Sequence, residues 1–113
     1  MKKLIAILFG LLVVAAGFAA ATIWQTTVVR DYNQDQYAEA YAEIGVRYDA
    51  QHPYTNYDIT YRTGWGRLKA PYSYPYYVFK NNLPNGVEVS VYVMIPGRSQ
   101  PDVVSASATW PYI

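Results

Sequence analysis

The chain contains no cysteine and a single histidine, His52. Without thiols it has no disulfide, no thiolate nucleophile and no cysteine-ligated zinc site. His52 precedes Pro53 in a segment of loop composition, and no serine lies in a Gly-x-Ser-x-Gly elbow. The sequence therefore predicts a protein that is not an enzyme, with no catalytic residues, no metal site and no cofactor.

Charge is also scarce, since Asp, Glu, Lys and Arg make up 15% of the chain. After Trp24, seven basic residues stand against eight acidic ones. A nucleic-acid-binding protein needs a concentrated basic surface to displace counterions from phosphates. We therefore expect no nucleic-acid partner.

A long uncharged run does occur, from Leu4 to Trp24, directly after Lys2 and Lys3. It is long enough for a membrane-spanning helix over residues 4–24, with Trp24 at the interface. The small residues Ala19 and Ala21 equally fit a signal peptide cleaved after Ala21. Both interpretations stay open, and both place residues 25–113 outside the cytoplasm as one small domain.

Residues 31–45 have helical spacing, and Gly45 is a plausible stop. No Pro or Gly interrupts residues 18–44, so this amphipathic helix would continue the apolar one. Its expected packing face contains Tyr37, Tyr41 and Ile44. Acidic residues recur at every fourth position, forming either a docking stripe for a basic partner or a solvated face; these are Asp31, Asp35, Glu39 and Glu43.

Beyond Gly45 the period changes to two, which predicts strands at about 57–62, 76–80, 87–95 and 103–110, with a turn at Asn85-Gly86. Ala106 and Ala108 leave a depression in the sheet, which we expect Tyr37, Tyr41 and Ile44 to fill. The predicted fold class is α+β: a long N-terminal hydrophobic helix running into an amphipathic helix, packed on an antiparallel meander of three to four strands.

Tyrosine is the most over-represented residue, with 13 copies, all after residue 31. Cations and aromatics interleave between Tyr61 and Tyr77, a composition suited to contacts with a partner protein or to stacking on sugar rings. Trp65 could equally plug the end of the sheet, with the tyrosines filling ordinary strand positions. The candidate contact residues are Arg62, Trp65, Arg67, Lys69, Tyr72 and Tyr74.

The stretch Tyr37-Ala-Glu-Ala-Tyr-Ala-Glu-Ile-Gly-Val-Arg-Tyr48 and the ending Val103-Val-Ser-Ala-Ser-Ala-Thr-Trp-Pro-Tyr112 are loosely similar to Tad-type pseudopilins. The layout of apolar helix, amphipathic helix and β-meander also resembles type IV pilin-like subunits. The chain departs from that family because no Glu lies near the start of the apolar run and Gly17-Phe18 lies inside it. The resemblance implies a structural subunit and transfers no functional residue.

Two functions follow as expectations. The first is a non-enzymatic assembly subunit anchored in a bacterial cell membrane, whose extracytoplasmic domain binds other subunits or itself. The second is a secreted or surface-tethered module that binds a glycan or cell-wall polymer through Trp65, Tyr72 and Tyr74.

Overall fold

The computed structural model describes residues 21–111, and all its regular elements are β-strands. The strands are β1 (Trp24–Gln34), β2 (Ala38–Asp49), β3 (His52–Leu68), β4 (Tyr76–Leu83), β5 (Gly86–Val93) and β6 (Asp102–Thr109). They form two antiparallel three-stranded sheets, sheet A with the order β1-β2-β3 and sheet B with the order β4-β5-β6. The sheets pack face to face, so the domain is a small β-sandwich.

The predicted α+β fold is wrong, because the segment expected to be an amphipathic helix forms part of β1 and most of β2. From Ala38 to Tyr48 the even-numbered residues are all small, aliphatic or aromatic, and the odd-numbered ones are polar except Tyr41 and Gly45, a period of two that the alanine content obscured. Alternation places Ile44 in the core and Tyr41 on the opposite face, although helical spacing would have put them together. Within residues 21–111, therefore, no helix packs on the meander.

The end of the predicted membrane span, residues 21–24, is not helical either. Among residues 21–111 no helix is long and apolar enough to cross a membrane. Residues 21–23 have no regular structure, and Trp24 opens β1, where the Arg47 guanidinium lies 4.0 Å from its ring centroid. Trp24 thus belongs to the sandwich; the rest of the predicted span, residues 4–20, lies outside the described residues.

The later strands lie close to their predicted positions. The expected strand at 57–62 lies inside a longer β3, and those at 76–80, 87–95 and 103–110 overlap β4, β5 and β6. The two-residue turn is Pro84-Asn85, one position earlier than the predicted Asn85-Gly86. The long predicted loop after Arg62 is shorter than expected, because residues 63–68 extend β3.

The core lies between the inner faces of the two sheets. Sheet A contributes small residues at the centre of β2 and sheet B contributes the β-branched face of β5, so that large side chains meet small ones. Gly64 and Gly66 of β3 continue this fit: a Cβ added there would lie 2.4 Å and 2.3 Å from the valine methyls of Val89 and Val91. The fully or nearly fully buried residues are Ala38, Ala40, Ala42, Ile44, Val46, Tyr48, Val87, Val89, Val91, Val93, Val104, Ala106, Ala108 and Trp110.

Side chains also join the two sheets at both sides of the sandwich. On one side, Asp31 Oδ2 accepts a hydrogen bond from the Ser107 amide at 2.8 Å, and Asn33 Nδ2 donates to the Ser105 carbonyl at 2.7 Å. On the other, Arg62 Nε donates to the Gly86 carbonyl at 2.9 Å. These bonds satisfy backbone groups that the strand ladders leave over.

Candidate functional site

The outer face of sheet A has a row of aromatic rings across its three strands, one from each. Tyr32 on β1, Tyr41 on β2 and Trp65 on β3 are cross-strand neighbours in the ladder. Tyr41 stacks on Trp65 with ring centroids 5.7 Å apart, and the Tyr32 and Trp65 centroids are 6.4 Å apart. Because side chains at alternate positions share a face, this row follows directly from the register.

Carboxylates flank that row and hold it in place. Glu43 accepts hydrogen bonds from the hydroxyls of Tyr41 and of Tyr61, the latter at 2.6 Å, and from Arg30 Nε at 3.3 Å. These donors lower the pKa of Glu43, with Tyr41 the largest cause, and the same carboxylate raises the pKa values of Tyr41 and Tyr61. Glu43 is therefore ionised and fully engaged within its own chain.

Glu39 occupies the matching position beyond the row. It accepts a hydrogen bond from the Tyr32 hydroxyl and one from Arg67 Nε at 2.6 Å, and these two donors lower its pKa. Arg67 also lies over the Trp65 ring, 4.8 Å from the centroid. We call this whole surface the ionic face; its residues are Arg30, Tyr32, Glu39, Tyr41, Glu43, Tyr61, Trp65 and Arg67.

Of the six predicted contact residues, only Trp65 and Arg67 lie on the ionic face. Tyr72 and Tyr74 lie at one end of the sandwich and pack on Tyr37, with centroids 4.9 Å and 6.1 Å away. Lys69 Nζ donates to Gln34 Oε1 at 2.7 Å, which ties the end of β3 to the β1–β2 turn. Arg62 is turned toward sheet B, so the predicted cluster does not form one surface.

The predicted acidic stripe is also divided. Glu39 and Glu43 share the ionic face, because both lie on β2 and are separated by an even number of residues. Asp31 faces β6, as described above. Asp35 sits in the turn after β1, where its Oδ1 accepts hydrogen bonds from the amides of Tyr37 and Ala38 at 2.8 Å and 3.0 Å.

The expected packing of Tyr37, Tyr41 and Ile44 on Ala106 and Ala108 is realised only in part. Ile44, Ala106 and Ala108 are all buried in the common core. Tyr37 is half-buried at the end of the sandwich and packs against that core. Tyr41 lies on the ionic face, since a strand turns it away from Ile44.

Asp35 and Asp102 form a carboxyl pair at the end of the sandwich. The hydrogen bond to Asp35, and then burial, raise the pKa of Asp102 to about 6, and nearby Arg98 partly opposes this shift. Within the described part of the chain, Asp102 Oδ2 is buried without a hydrogen-bond partner, which disfavours the charged form. Burial opposes ionisation of Asp35, but Asp102, the two turn amides and Lys69 outweigh it and lower the pKa of Asp35. Asp102 is therefore the member of the pair that takes up a proton as the pH falls through about 6.

His52 has a structural position at the β2–β3 turn. Its Nδ1 lies 3.2 Å from Asp49 Oδ2, which also accepts a hydrogen bond from Asn56 Nδ2, while the Gln51 amide donates to Asp49 Oδ1. The Gln51 amide is the main cause that lowers the pKa of Asp49. Over residues 21–111 no three metal-ligating side chains converge.

Sheet B has a different surface, which the sequence did not indicate. Every residue from Tyr76 to Asn82 is exposed, although β4 belongs to a sandwich. Four consecutive residues of this strand are apolar or aromatic, and Tyr77 and Phe79 are 58% and 57% exposed. Tyr92 on β5 and Val103 on β6 continue the outer face next to them, with the Phe79 and Tyr92 rings in edge contact at 5.4 Å. We call this surface the edge patch; its residues are Tyr76, Tyr77, Val78, Phe79, Tyr92 and Val103.

The edge patch was missed because exposure of a strand depends on what lies over it. Its aromatic and β-branched residues are those of an ordinary half-buried strand. Sheet A covers β5 and β6 more extensively than β4, so the core-side residues Tyr76 and Val78 remain 43% and 41% exposed. One signal was present: Lys80 and Asn82 occupy core-side positions in the same strand.

The chain matches no protein-family model, no curated protein and no solved structure in the three comparisons. The segment predicted as the amphipathic helix of a pilin-like layout forms strands here.

Proposed function

We propose that this protein is a non-enzymatic extracytoplasmic subunit that acts through protein–protein contacts made by the edge patch. The observation that carries the proposal is β4, an eight-residue edge strand exposed along nearly its whole length with four consecutive apolar residues. Edge strands normally carry protective charges, prolines or bulges, because their free backbone groups pair readily with another strand. β4 has one such charge, Lys80, but none from Tyr76 to Phe79, and this unprotected half is best explained by a partner.

Export is the second part of the proposal, and the N-terminal sequence supports it. Lys2 and Lys3 precede a long apolar run, an order typical of segments that direct a chain across a membrane. The absence of cysteine is compatible with either side of a membrane, so this part depends on the leader alone.

Protein contact is favoured over glycan binding by the state of the ionic face. Sugar rings stack on open aromatic faces, whereas Trp65 already contacts Tyr41, Tyr32 and Arg67 of its own chain. Tyr72 and Tyr74 likewise stack on each other, with centroids 5.7 Å apart. A Trp65→Ala variant that keeps its fold and loses binding to a cell-wall polymer would favour the glycan function instead.

The test is site-specific photo-crosslinking in the full-length chain, expressed in its own cell. A benzophenone amino acid replaces Phe79 in the edge patch or, as a matched control, Thr63, which is exposed on the outer face of sheet A. We expect a discrete protein adduct from position 79 and none from position 63. No adduct from position 79, or adducts from position 63 alone, would contradict the proposal.

A further inference from the structure

We infer that the partner of the edge patch is a second copy of this chain, bound by antiparallel pairing of the two β4 strands around Val78. This inference rests on the proposed function and deepens it by naming the partner. It would join two copies of sheet B into one continuous six-stranded sheet with a twofold axis.

Alternate residues of β4 have backbone groups that are available for pairing with another strand. Leu83 and Gly86 flank a two-residue hairpin loop, and such flanking residues exchange hydrogen bonds. Bonding then alternates along the ladder, so odd-numbered residues of β4 bond to β5. The Met94 amide donates to the Pro75 carbonyl at 2.8 Å, in agreement with this alternation. Tyr76, Val78 and Lys80 therefore direct their backbone amides and carbonyls to the open edge.

Of the sheet edges in the described domain, that of β4 is the best suited to pairing. The free edge of β6 is occupied by Asp31 and Asn33. β1 has a polar second half, with Arg30, Asp31, Asn33 and Gln34, and β3 contains Pro53 and pairs with β2 through two register shifts. β4 pairs with β5 without a shift and is apolar from Tyr76 to Phe79. It is the edge of the described domain that has the least protection against pairing.

The side chains of β4 decide the register between the two copies of the strand. A twofold pair centred on Val78 places Val78 opposite its own copy, Tyr77 opposite Phe79, and Tyr76 opposite Lys80. Aromatic then meets aromatic on the outer face, and a cation meets an aromatic ring on the inner one. Centring on Lys80 would put two like charges directly opposite each other, which is destabilising. Centring on Phe79 would place Lys80 opposite Val78 and Tyr77 opposite Asn81.

This pairing would make the outer faces of the two B sheets continuous. Tyr77, Phe79 and Tyr92 of each copy would then lie in one aromatic strip across the twofold axis. A single strand pair buries less surface than the roughly 1,200 Å² of stable complexes, so association should be reversible and concentration-dependent.

The experiment uses the natural absence of cysteine to report the register. Full-length Val78→Cys, Phe79→Cys and an equal mixture of Tyr76→Cys with Lys80→Cys are oxidised with copper phenanthroline and separated without reductant. Opposed Cα atoms in such a pair lie within disulfide range, whereas the Phe79 Cα atoms would be more than about 7 Å apart. We expect the Val78→Cys dimer to form at least about tenfold faster than the Phe79→Cys dimer, and the mixture to give a mixed dimer.

A second pair of variants tests the interaction without a covalent bond. Val78→Lys introduces a positive charge at the twofold axis and should abolish concentration-dependent association of the full-length chain in sedimentation velocity. Ser107→Lys is the matched control, because Ser107 is exposed on the outer face of sheet B but lies on β6, outside the edge patch. The control should associate as the unmodified chain does.

The outcomes separate the two proposals. A Phe79→Cys dimer that forms faster than Val78→Cys, or association that survives Val78→Lys, would overturn the pairing around Val78. No disulfide from any variant, together with a photo-adduct from position 79 to a different protein, would overturn self-pairing and leave the proposed function in place. Absence of both disulfide and adduct would overturn both.

Discussion

The two outer faces of the sandwich are built from the same residue types and have opposite characters. On sheet A each carboxylate of the ionic face receives tyrosine and arginine donors from neighbouring strands. On sheet B the outer face has aromatic rings, serines and Glu88, and the four ion pairs of residues 21–111 all lie elsewhere. Tyrosine therefore serves as an internal donor on one face and as exposed apolar surface on the other.

The difference teaches that aromatic content alone does not locate a binding surface. What matters is whether the ring and its hydroxyl already have partners in the same chain. The ionic face contains the residue types expected of a contact site, but its carboxylates already accept hydrogen bonds from the tyrosine and arginine side chains around them. The edge patch has unsatisfied backbone groups and uncovered rings, and so it is the better candidate for a partner.

The largest effect should come from a substitution that changes the distance between the two sheets, on which both outer faces depend. Gly64→Val places methyl groups where a Cβ alone would lie 2.4 Å from Val89 Cγ2, so the sheets must separate locally. We expect a loss of about 3 kcal/mol in the free energy of unfolding, measured by urea titration. Thr63→Val, on the outer face of the same strand, is the control and should be nearly neutral.

The second-largest effect on stability should distinguish the outer face of sheet A from that of sheet B. Glu43→Ala removes the acceptor of Tyr41, Tyr61 and Arg30, whereas Glu88→Ala removes a carboxylate from the outer face of sheet B. We expect Glu43→Ala to lower Tm by several degrees in calorimetry and Glu88→Ala to leave it almost unchanged. Equal losses from both variants would contradict the contrast between a self-satisfied and an unpartnered face.

A smaller effect should be visible as pH dependence at the carboxyl pair. The pKa of Asp102 is raised to about 6 in the folded chain, so its ionisation costs stability at neutral pH. That cost is relieved as the pH falls through about 6, because the folded state takes up a proton while the unfolded carboxyl remains ionised. Asp102→Asn should therefore raise Tm at pH 7 by about 2–5 °C, and the gain should shrink toward pH 4.5.

The comparison for that variant is Asp58→Asn. Asp58 is an exposed partner of Arg47 on sheet A, and its loss should produce no gain at pH 7. A Tm difference between Asp102→Asn and the unmodified chain that stays constant from pH 7 to pH 4.5 would exclude proton uptake by Asp102 in this range.

The smallest effect on stability is expected at the edge patch itself. Phe79→Thr keeps a residue suited to strands and removes a ring that is 57% exposed. At concentrations where the chain is monomeric, the free energy of unfolding should change by no more than about 0.5 kcal/mol. At higher concentrations the same variant should associate less, as measured by light scattering. A large loss of stability in the monomer would show that Phe79 belongs to the core.

Some elements were readable in the sequence because local alternation and burial agree. The odd-numbered valines of β5 and the small residues of β6 alternate with polar ones, and both sets lie in the core. β2 was misread because the first half of its inner face consists of alanines, which have the highest helix propensity. Ala38, Ala40 and Ala42 lie in a strand because the valines of the facing sheet leave room only for small side chains.

The sequence by itself determined the inner faces of β5 and β6, because period-two alternation decides which side of a strand is apolar. The absence of cysteine likewise excludes disulfides and thiolate chemistry. Only the tertiary structure decided which surfaces are free. Strand register brings Glu43 next to Arg30 and Tyr61, and β4 is exposed because sheet A does not cover it. Both features depend on packing between segments that are far apart in the chain.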